Sequence, residues 1–279
     1  MINKIKNNLY KLKLINSKNY LYGALSLLYK ISNLKILKIL SIFAYPKFKL
    51  LPKYYYSINN KLRIICNCKL KKKNILEIGG GEMYGMFPLF NNSKSLKTYF
   101  LIDPFVKNFV YKSQLLRYVL IKKISNKNFF IKNKDFEKFS FIKSFNQIKK
   151  GYQADFIFSV SCLEHVNDLN KLFNNIKKIL SKKYEQYHII NFSNHLSKKK
   201  PFKHLYENHP NDFKKKFNNK INFLRISDYK KILDKYFYNY KFYYLDKVKV
   251  QDTNIHPFWK KKYDINELSI RTAILKITN

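Results

Sequence analysis

Four of the six glycines in this 279-residue chain, Gly79, Gly80, Gly81 and Gly85, fall within seven positions of the stretch NILEIGGGEMYGM at 74–86. Glycine costs folding entropy and is kept where the backbone needs positive φ or a ligand must come close to the main chain. Two carboxylates accompany the cluster: Glu77, two residues before Gly79, and Asp103, closing the run TYFLID. A second group of reactive residues lies further on, because five of the six histidines fall between 165 and 209. Imidazole titrates near neutral pH and is the natural proton acceptor there. His165 follows Glu164 in SVSCLEHV, His195 stands in NFSNHLS and His204 in FKHLYENH, and each is a candidate base. His188 alternates within a strand-like run and reads as structural.

The glycine cluster admits three nucleotide-site readings. A P-loop needs Gly-Lys-Ser/Thr after the loop, and Glu82-Met83 stands there instead. A dinucleotide fingerprint needs GxGxxG, but counting from Gly79 and Gly81 the third position is Tyr84, so only the looser GxGxxxG remains. The third reading is an acid two residues ahead of the first glycine, as in E-I-G-G-G. Cys66, Cys68 and Cys162 offer neither a disulfide framework nor a zinc knuckle, and no metal site is read from the spacing.

The elements that would position these residues begin at residue 74. NILEIG, TYFLID, FSFIKS, DFIFSVS and YHIINFS read as buried strands. Between them lie helical stretches such as 168–181, where Leu169, Leu172, Phe173, Ile176 and Leu180 share a face. Strands alternating with helices imply a parallel, doubly wound sheet, and a strand running into glycines and then a helix puts main-chain N–H groups at the carboxyl edge, where such sheets bind ligands. An irregular basic stretch, 194–222, follows, then a helix opened by Ser227 or Asp228 as N-cap. The runs 238–250 and 269–278 read as an antiparallel closing pair with no helix-length crossover between them.

Residues 1–76 contain no carboxylate, Glu77 being the first. Spacings of three and four at Gly23, Ser26, Lys30 and Asn33 indicate an amphipathic helix ending before Pro46. Lysines interrupt its apolar run, so it does not span a bilayer. It reads as a cover on the catalytic domain or as a basic helix lying on an anionic membrane surface. The formal charge of +39 suggests a polyanion, yet only four of the 56 basic residues are Arg, the residue preferred for bidentate phosphate and base recognition. Nucleic acid is therefore disfavoured as partner. Three cysteines and no signal peptide fit a cytoplasmic, or membrane-peripheral, protein.

On E-I-G-G-G, on TYFLID and on ADFIFSVSCLEHV followed by a helix, residues 72–279 resemble the class I S-adenosylmethionine-dependent methyltransferases. The resemblance implies an α/β, Rossmann-like, doubly wound sheet of seven mostly parallel strands with an antiparallel closing strand, behind an extra N-terminal helical segment at 1–71. It implies S-adenosylmethionine over Gly79, Gly80 and Gly81, Glu77 supporting the loop, Asp103 on the ribose hydroxyls and Ser161 beside the cofactor. Ser144-Phe145-Asn146 stands where many members carry an adenine-binding acid, which assigns that contact to Asn146. Pro88 falls where the first helix should run, so that helix begins late or kinks. The C-terminal part looks like bacterial members acting on surface glycans and other small acceptors. The expectation is O-methylation of a sugar or glycan precursor, with 194–222 as acceptor lid and His165, His195 or His204 as base. Lysines near the lid suit a phosphate-bearing acceptor. The rivals are an RNA methyltransferase docking through its basic N-terminal arm and a non-catalytic membrane or assembly module of the same fold.

Overall fold

The structure is a computed structural model that describes residues 20–44, 51–63, 73–90, 96–124, 131–197, 200–250 and 255–279. Cys66, Cys68, Lys198 and Lys199 lie outside them. The seven expected strands form one sheet in the order β3-β2-β1-β4-β5-β7-β6, and its pattern of direction is the expected one. β1 is parallel to β4, β2 to β3 and β4 to β5, while β7 runs antiparallel to both β5 and β6. The chain divides into two compact units, Met1–Lys73 with Gly80–Gln147, and Asn74–Gly79 with Ile148–Asn279.

In the first unit, helices α1 (Tyr20–Ser32) and α2 (Lys35–Ala44) pack on one another, and α3 (Leu51–Arg63) follows. The single helix expected here is broken, because Asn33 takes a left-handed φ of 58° and its N–H caps the carbonyl of Tyr29 at 2.7 Å. The segment packs on the remainder of its unit through Tyr55, fully buried on α3, whose hydroxyl donates to the carbonyl of Gly85 at 3.1 Å. Lys38 on α2 pairs with Glu82.

β1 (Asn74–Ile78), of the second unit, leads into the glycines. In the first unit the chain then turns over 81–86 before α4 (Phe87–Phe90), so the helix carrying Pro88 does begin late, and it is short. β2 (Thr98–Ile102) is followed by α5 (Asn108–Lys112), α6 (Gln114–Ile124), a 3-10 turn at Asn133–Lys138 and β3 (Phe139–Ile142). Tyr84, Phe87, Tyr99, Tyr111, Phe136 and Phe139 form an aromatic core in which Tyr84 meets Tyr111, Phe136 and Phe139 edge to face and Tyr99 stacks on Phe139, with ring centroids 4.9 to 5.9 Å apart in these pairs.

In the second unit, β4 (Ala154–Val160) leads through a 3-10 turn at Leu163–His165 into α7 (Leu169–Lys177) and β5 (Leu180–Asn191). Asp168 caps α7 by accepting from the Lys171 amide, and the shared apolar face read from the sequence is the buried one. The stretch 194–222 is not irregular throughout: α8 (Pro210–Phe217) runs inside it, with Pro210 at its first position and His209 Nδ1 accepting from Asn211 N. Histidine is a rare N-cap, so the pattern gave no warning. α9 (Ile226–Leu233) starts two residues earlier than Ser227 as N-cap would place it. Arg225 is its N-cap residue, and Asp228, three positions in, accepts the Arg225 amide at 2.9 Å. β6 (Asn239–Lys247) and β7 (Ile270–Thr278) are joined through α10 (Pro257–Lys262) and α11 (Ile265–Leu268), two short helices that the sequence reading passed over.

These helices enclose a second hydrophobic cluster. Trp259, fully buried, packs with Tyr206, Phe213, Ile221 and Leu268. The buried Arg225 guanidinium lies 5.2 Å from the Tyr206 and Trp259 rings and donates to the Phe192 carbonyl at 3.1 Å. The region after β5 is thus a cored subdomain rather than a solvated loop.

Candidate active site

The first glycine of the loop belongs to the second unit. Gly79 has φ +73°, and a Cβ there would lie 2.2 Å from Cys162 Sγ, inside any permitted contact. Only glycine lets the end of β1 approach the residue that follows β4. In the first unit, a Cβ on Gly80 would strike Leu101. Gly81 is different: at φ +69° it has nothing within 4 Å of where a Cβ would be, so the loop presents bare main chain to open space. Asp103, buried at the end of β2, faces this loop. Its Oδ2 accepts the Gly81 amide at 2.9 Å and its Oδ1 the Phe105 amide at 3.0 Å. A carboxylate fixed by two amides keeps further lone pairs for hydroxyl donors. Open space at Gly81 beside a fixed carboxylate fits a ligand bearing polar hydroxyls. Glu77 is buried on β1 opposite Phe158, and Asn146 is exposed in a 3-10 turn after β3.

The histidines separate into distinct environments. His188 is fully buried on β5, with Nδ1 2.9 Å from Ser159 Oγ, and burial pushes it down to about 3, so it is a neutral core residue. His209 and His256 cap helices. His204 sits at φ 62° with Nδ1 2.7 Å from Glu207 Oε2 and its ring stacked on Phe217. Burial, the largest single influence, raises the Glu207 carboxyl, but the hydrogen bonds from His204 and the charges of His204 and Lys203 together outweigh it and hold the carboxyl below its usual range.

His165 and His195 come together. Their rings meet edge to face at 4.9 Å, and His195 Nε2 lies 3.7 Å from an oxygen of Glu164, which is 3% exposed. The partner of Glu164 is therefore His195, 31 positions away, as well as its neighbour in the chain. Ser161 (φ 49°) and His195 (φ 58°) both hold left-handed backbone, a costly conformation for residues with side chains and one that concentrates at functional sites. Ser161 N donates to Ile189 O at 2.8 Å, fixing the end of β4 against β5.

Three asparagines that the sequence reading did not single out hold this arrangement. Asn222 donates its amide to Glu164 O at 2.7 Å and its side chain to the carbonyls of Leu163 and Val166 at 2.8 and 3.0 Å, clamping the turn that carries Glu164 and His165. Asn194 accepts from Leu196 N and donates to Lys200 O and Lys203 O, shaping the loop that carries His195. Asn219 joins the two by donating to Asn194 O at 2.7 Å. In a chain this rich in asparagine nothing marks these three out.

A cavity of about 270 Å³ opens beside the same clamp, lined by Asn211, Lys214, Asn222, Phe223, Phe258 and Lys262 among others. Lys262 Nζ contacts Asp228 Oδ1 at 3.1 Å and the Tyr263 hydroxyl donates to Asp228 Oδ2 at 2.6 Å. Burial pushes the Asp228 carboxyl up, but the Arg225 amide, Tyr263 and Lys262 together outweigh it and hold it below the carboxylate range.

Comparison with known proteins identifies the scaffold. The methyltransferase domain family matches residues 57–240. A search of curated proteins returns no match. Among solved structures, an O-methyltransferase candidate from Nostoc punctiforme PCC 73102 is similar at 11% identity and a TM-score of 0.45, over 88% of this chain and 59% of that one. Phosphoethanolamine N-methyltransferase 2 of Haemonchus contortus, in complex with S-adenosyl-L-methionine, is similar at 12% and 0.47, over 80% of this chain and 52% of that one. The N-methyltransferase NodS of Bradyrhizobium japonicum WM9, in complex with S-adenosyl-L-homocysteine, is similar at 11% and 0.39, over 80% and 86%. This chain thus spans little more than half the length of the first two. With two thirds of its own length matched by the domain family, the chain belongs to the class I S-adenosylmethionine-dependent methyltransferases.

Proposed function

We propose that this enzyme O-methylates a sugar or glycan precursor. The observation that carries the reading is the Glu164–His165–His195 cluster: Glu164 and His165 sit on a turn next to Cys162, which touches the first glycine of the loop, and Asn222, which clamps that turn, also lines a cavity of about 270 Å³. Bound S-adenosylmethionine supplies an electrophilic methyl group. What the chain supplies is cofactor binding, alignment and removal of the acceptor proton. In this reading Gly80 and Gly81 receive the cofactor along bare main chain, Glu77 supports the loop, Asp103 takes the ribose hydroxyls, Asn146 serves the adenine and Ser161 borders the site. The acceptor hydroxyl loses its proton at the Glu164–His165–His195 cluster. Phe223 and Phe258 offer flat faces to a sugar ring, the asparagines offer hydroxyl partners, and Lys214 and Lys262 favour a phosphate or carboxylate on the acceptor. His204, engaged with Glu207 and Phe217, serves the lid's structure in this reading.

The experiment is transfer of labelled methyl to nucleotide sugars, lipid-linked saccharides and RNA in parallel. Label in a saccharide fraction, lost in His195→Asn, is expected, and label in RNA alone refutes the acceptor class. S-adenosylhomocysteine at 100 times its Kd should add about 2.7 kcal/mol to stability in a thermal-shift measurement.

A specific observation favours a membrane-peripheral setting. Among the described residues no helix is long and apolar enough to cross a bilayer, yet Leu28 and Ile31 on α1, Leu34 in the break and Ile36 on α2 are about half exposed, beside Lys30 and Lys35. Apolar side chains flanked by lysines suit the surface of an anionic bilayer, where a lipid-linked acceptor resides. Co-sedimentation with phosphatidylglycerol vesicles but not phosphatidylcholine vesicles, weakened by Ile31→Asp with Leu34→Asp, is the expected result.

A further inference from the structure

We propose that Glu164, His165 and His195 bind a divalent first-row metal ion, and that the acceptor hydroxyl is deprotonated as a ligand of that ion. The inference deepens the reading of this cluster as the acceptor side of the active site, and rests on it. One ligand atom from each of the three side chains lies within 4.8 Å of the others, and the Glu164 oxygen and His195 Nε2 are already 3.7 Å apart. Donors around a tetrahedral ion sit about 3.4 Å apart when the bonds are about 2.1 Å long. Small torsions of two exposed imidazoles against a buried carboxylate close that gap, with His195 Nε2 turning from the Asn191 carbonyl that lies 3.4 Å away.

Three further features fit a metal rather than an ordinary ion pair. His165 Nδ1 lies 3.4 Å from the Lys220 carbonyl, and a ring that donates there carries its lone pair on Nε2, the arrangement that orients metal-binding histidines. The backbone of His195 is held left-handed, and the loops bearing the ligands are tied together through Asn194, Asn219 and Asn222, so the donors are positioned before any ion arrives. Finally, the two rings meet edge to face with centroids 4.9 Å apart beside one carboxylate, so that a single ion can reach a nitrogen of each.

Two imidazole nitrogens and one carboxylate oxygen suit zinc, manganese or cobalt better than calcium or magnesium, whose preference is for oxygen. Three protein ligands leave coordination positions for acceptor oxygens, and vicinal sugar hydroxyls can occupy two. An acceptor oxygen on the ion gives its proton to water, forms the new O–CH3 bond as the S–CH3 bond breaks, and leaves the former bonding pair on sulfur as a neutral thioether. No electron is gained or lost, so a redox-inert ion suffices.

The test uses the full chain, stripped with a chelator and titrated with Co2+ alone. Ligand-field bands in the visible, saturating at one ion per chain, are expected, with manganese binding followed in parallel by electron paramagnetic resonance. Glu164→Gln, His165→Asn and His195→Asn should each weaken binding by about a hundred-fold or more, since even residues that only orient metal ligands are worth 10- to 100-fold. His204→Asn should bind as the native chain does. His165 and His195 are exposed, so their variants keep the fold, which melting curves verify. Absence of saturable binding, or binding unchanged by both histidine variants, overturns the proposal. If chelated protein still labels a saccharide and His195→Asn does not, the metal is refuted while the acceptor reading stands. If one ion binds through these three residues but only RNA is labelled, the metal site stands and the acceptor reading falls.

Discussion

The glycine loop and the histidine cluster are built by different means. At the loop the exposed surface is main chain: Gly81 opens its backbone to free space, and a single carboxylate, Asp103, holds two amides. The cluster depends instead on side chains brought together from positions 164, 165 and 195, on turns whose shape is set by asparagines between 194 and 222. A site made of backbone is written locally in the sequence. One made of converging side chains is written in the topology, and single substitutions should affect the two regions differently.

The largest expected effect is at the loop. Gly79→Ala places a methyl group 2.2 Å from Cys162 Sγ at a φ of +73°, so overpacking and backbone strain add to about 3 kcal/mol or more of lost stability. Urea unfolding of Gly79→Ala, Cys162→Ala and the double variant checks this. Removing the sulfur relieves the 2.2 Å contact but leaves Cys162 Cβ 2.7 Å from the added methyl, so the double variant should recover part of the loss and keep the strain; a double variant no more stable than Gly79→Ala would show that the sulfur is not the obstacle.

Next comes the clamp beneath the cluster. Asn222→Ala deletes two side-chain donations, to Leu163 O and Val166 O, together with the acceptor for Leu224 N. A loss of about 2 to 3 kcal/mol follows at roughly 1 kcal/mol per bond. Methyl transfer should fall further than the fraction of unfolded protein explains, because the turn bearing Glu164 and His165 loses its anchor, while S-adenosylhomocysteine affinity stays within about three-fold, a change of under 1 kcal/mol. A large loss of cofactor affinity would erase the distinction between the two regions.

Asp103→Asn is the converse. It keeps one acceptor oxygen but turns an NH2 group toward one of the two amides that the carboxylate holds, at a cost of about 1 to 2 kcal/mol in stability. Isothermal titration should show S-adenosylhomocysteine binding weakened by about 10-fold or more, equivalent to about 1.4 kcal/mol. Metal binding at Glu164, His165 and His195 should be unchanged.

The same contrast explains what the sequence made legible. E-I-G-G-G and the acid closing TYFLID are read from neighbouring residues, and the alternation of apolar runs with helical faces led to the seven strands and their directions. His165 and His195 were candidates by residue type, but their meeting at Glu164 depends on β4 and β5 lying side by side, which no local pattern records. Helix α8 escaped because a histidine caps it, and the break at Asn33 because asparagine is too common in this chain to signal a left-handed turn. Asn194, Asn219 and Asn222 were hidden for the same compositional reason.

The smallest effect compares two histidines of one strand and its following loop. His188 on β5 is fully buried against Ser159 and Phe173, whereas His195, seven residues later, is exposed beside Glu164. Burial depresses His188 from 6.5 to about 3, so the folded chain binds fewer protons at this site than the unfolded chain between those values. The sign is that of a neutral group that unfolding allows to charge: the contribution to stability is complete above the unfolded value and is lost as pH falls toward 3. The slope from this residue is roughly 1 kcal/mol per pH unit over that window. Unfolding midpoints at pH 7 and pH 5 should therefore differ more in the native chain than in His188→Gln, which removes the titrating group but keeps a polar side chain near Ser159. An equal pH dependence in the two proteins would mean that His188 titrates normally and that its pocket against Ser159 and Phe173 is wet rather than packed.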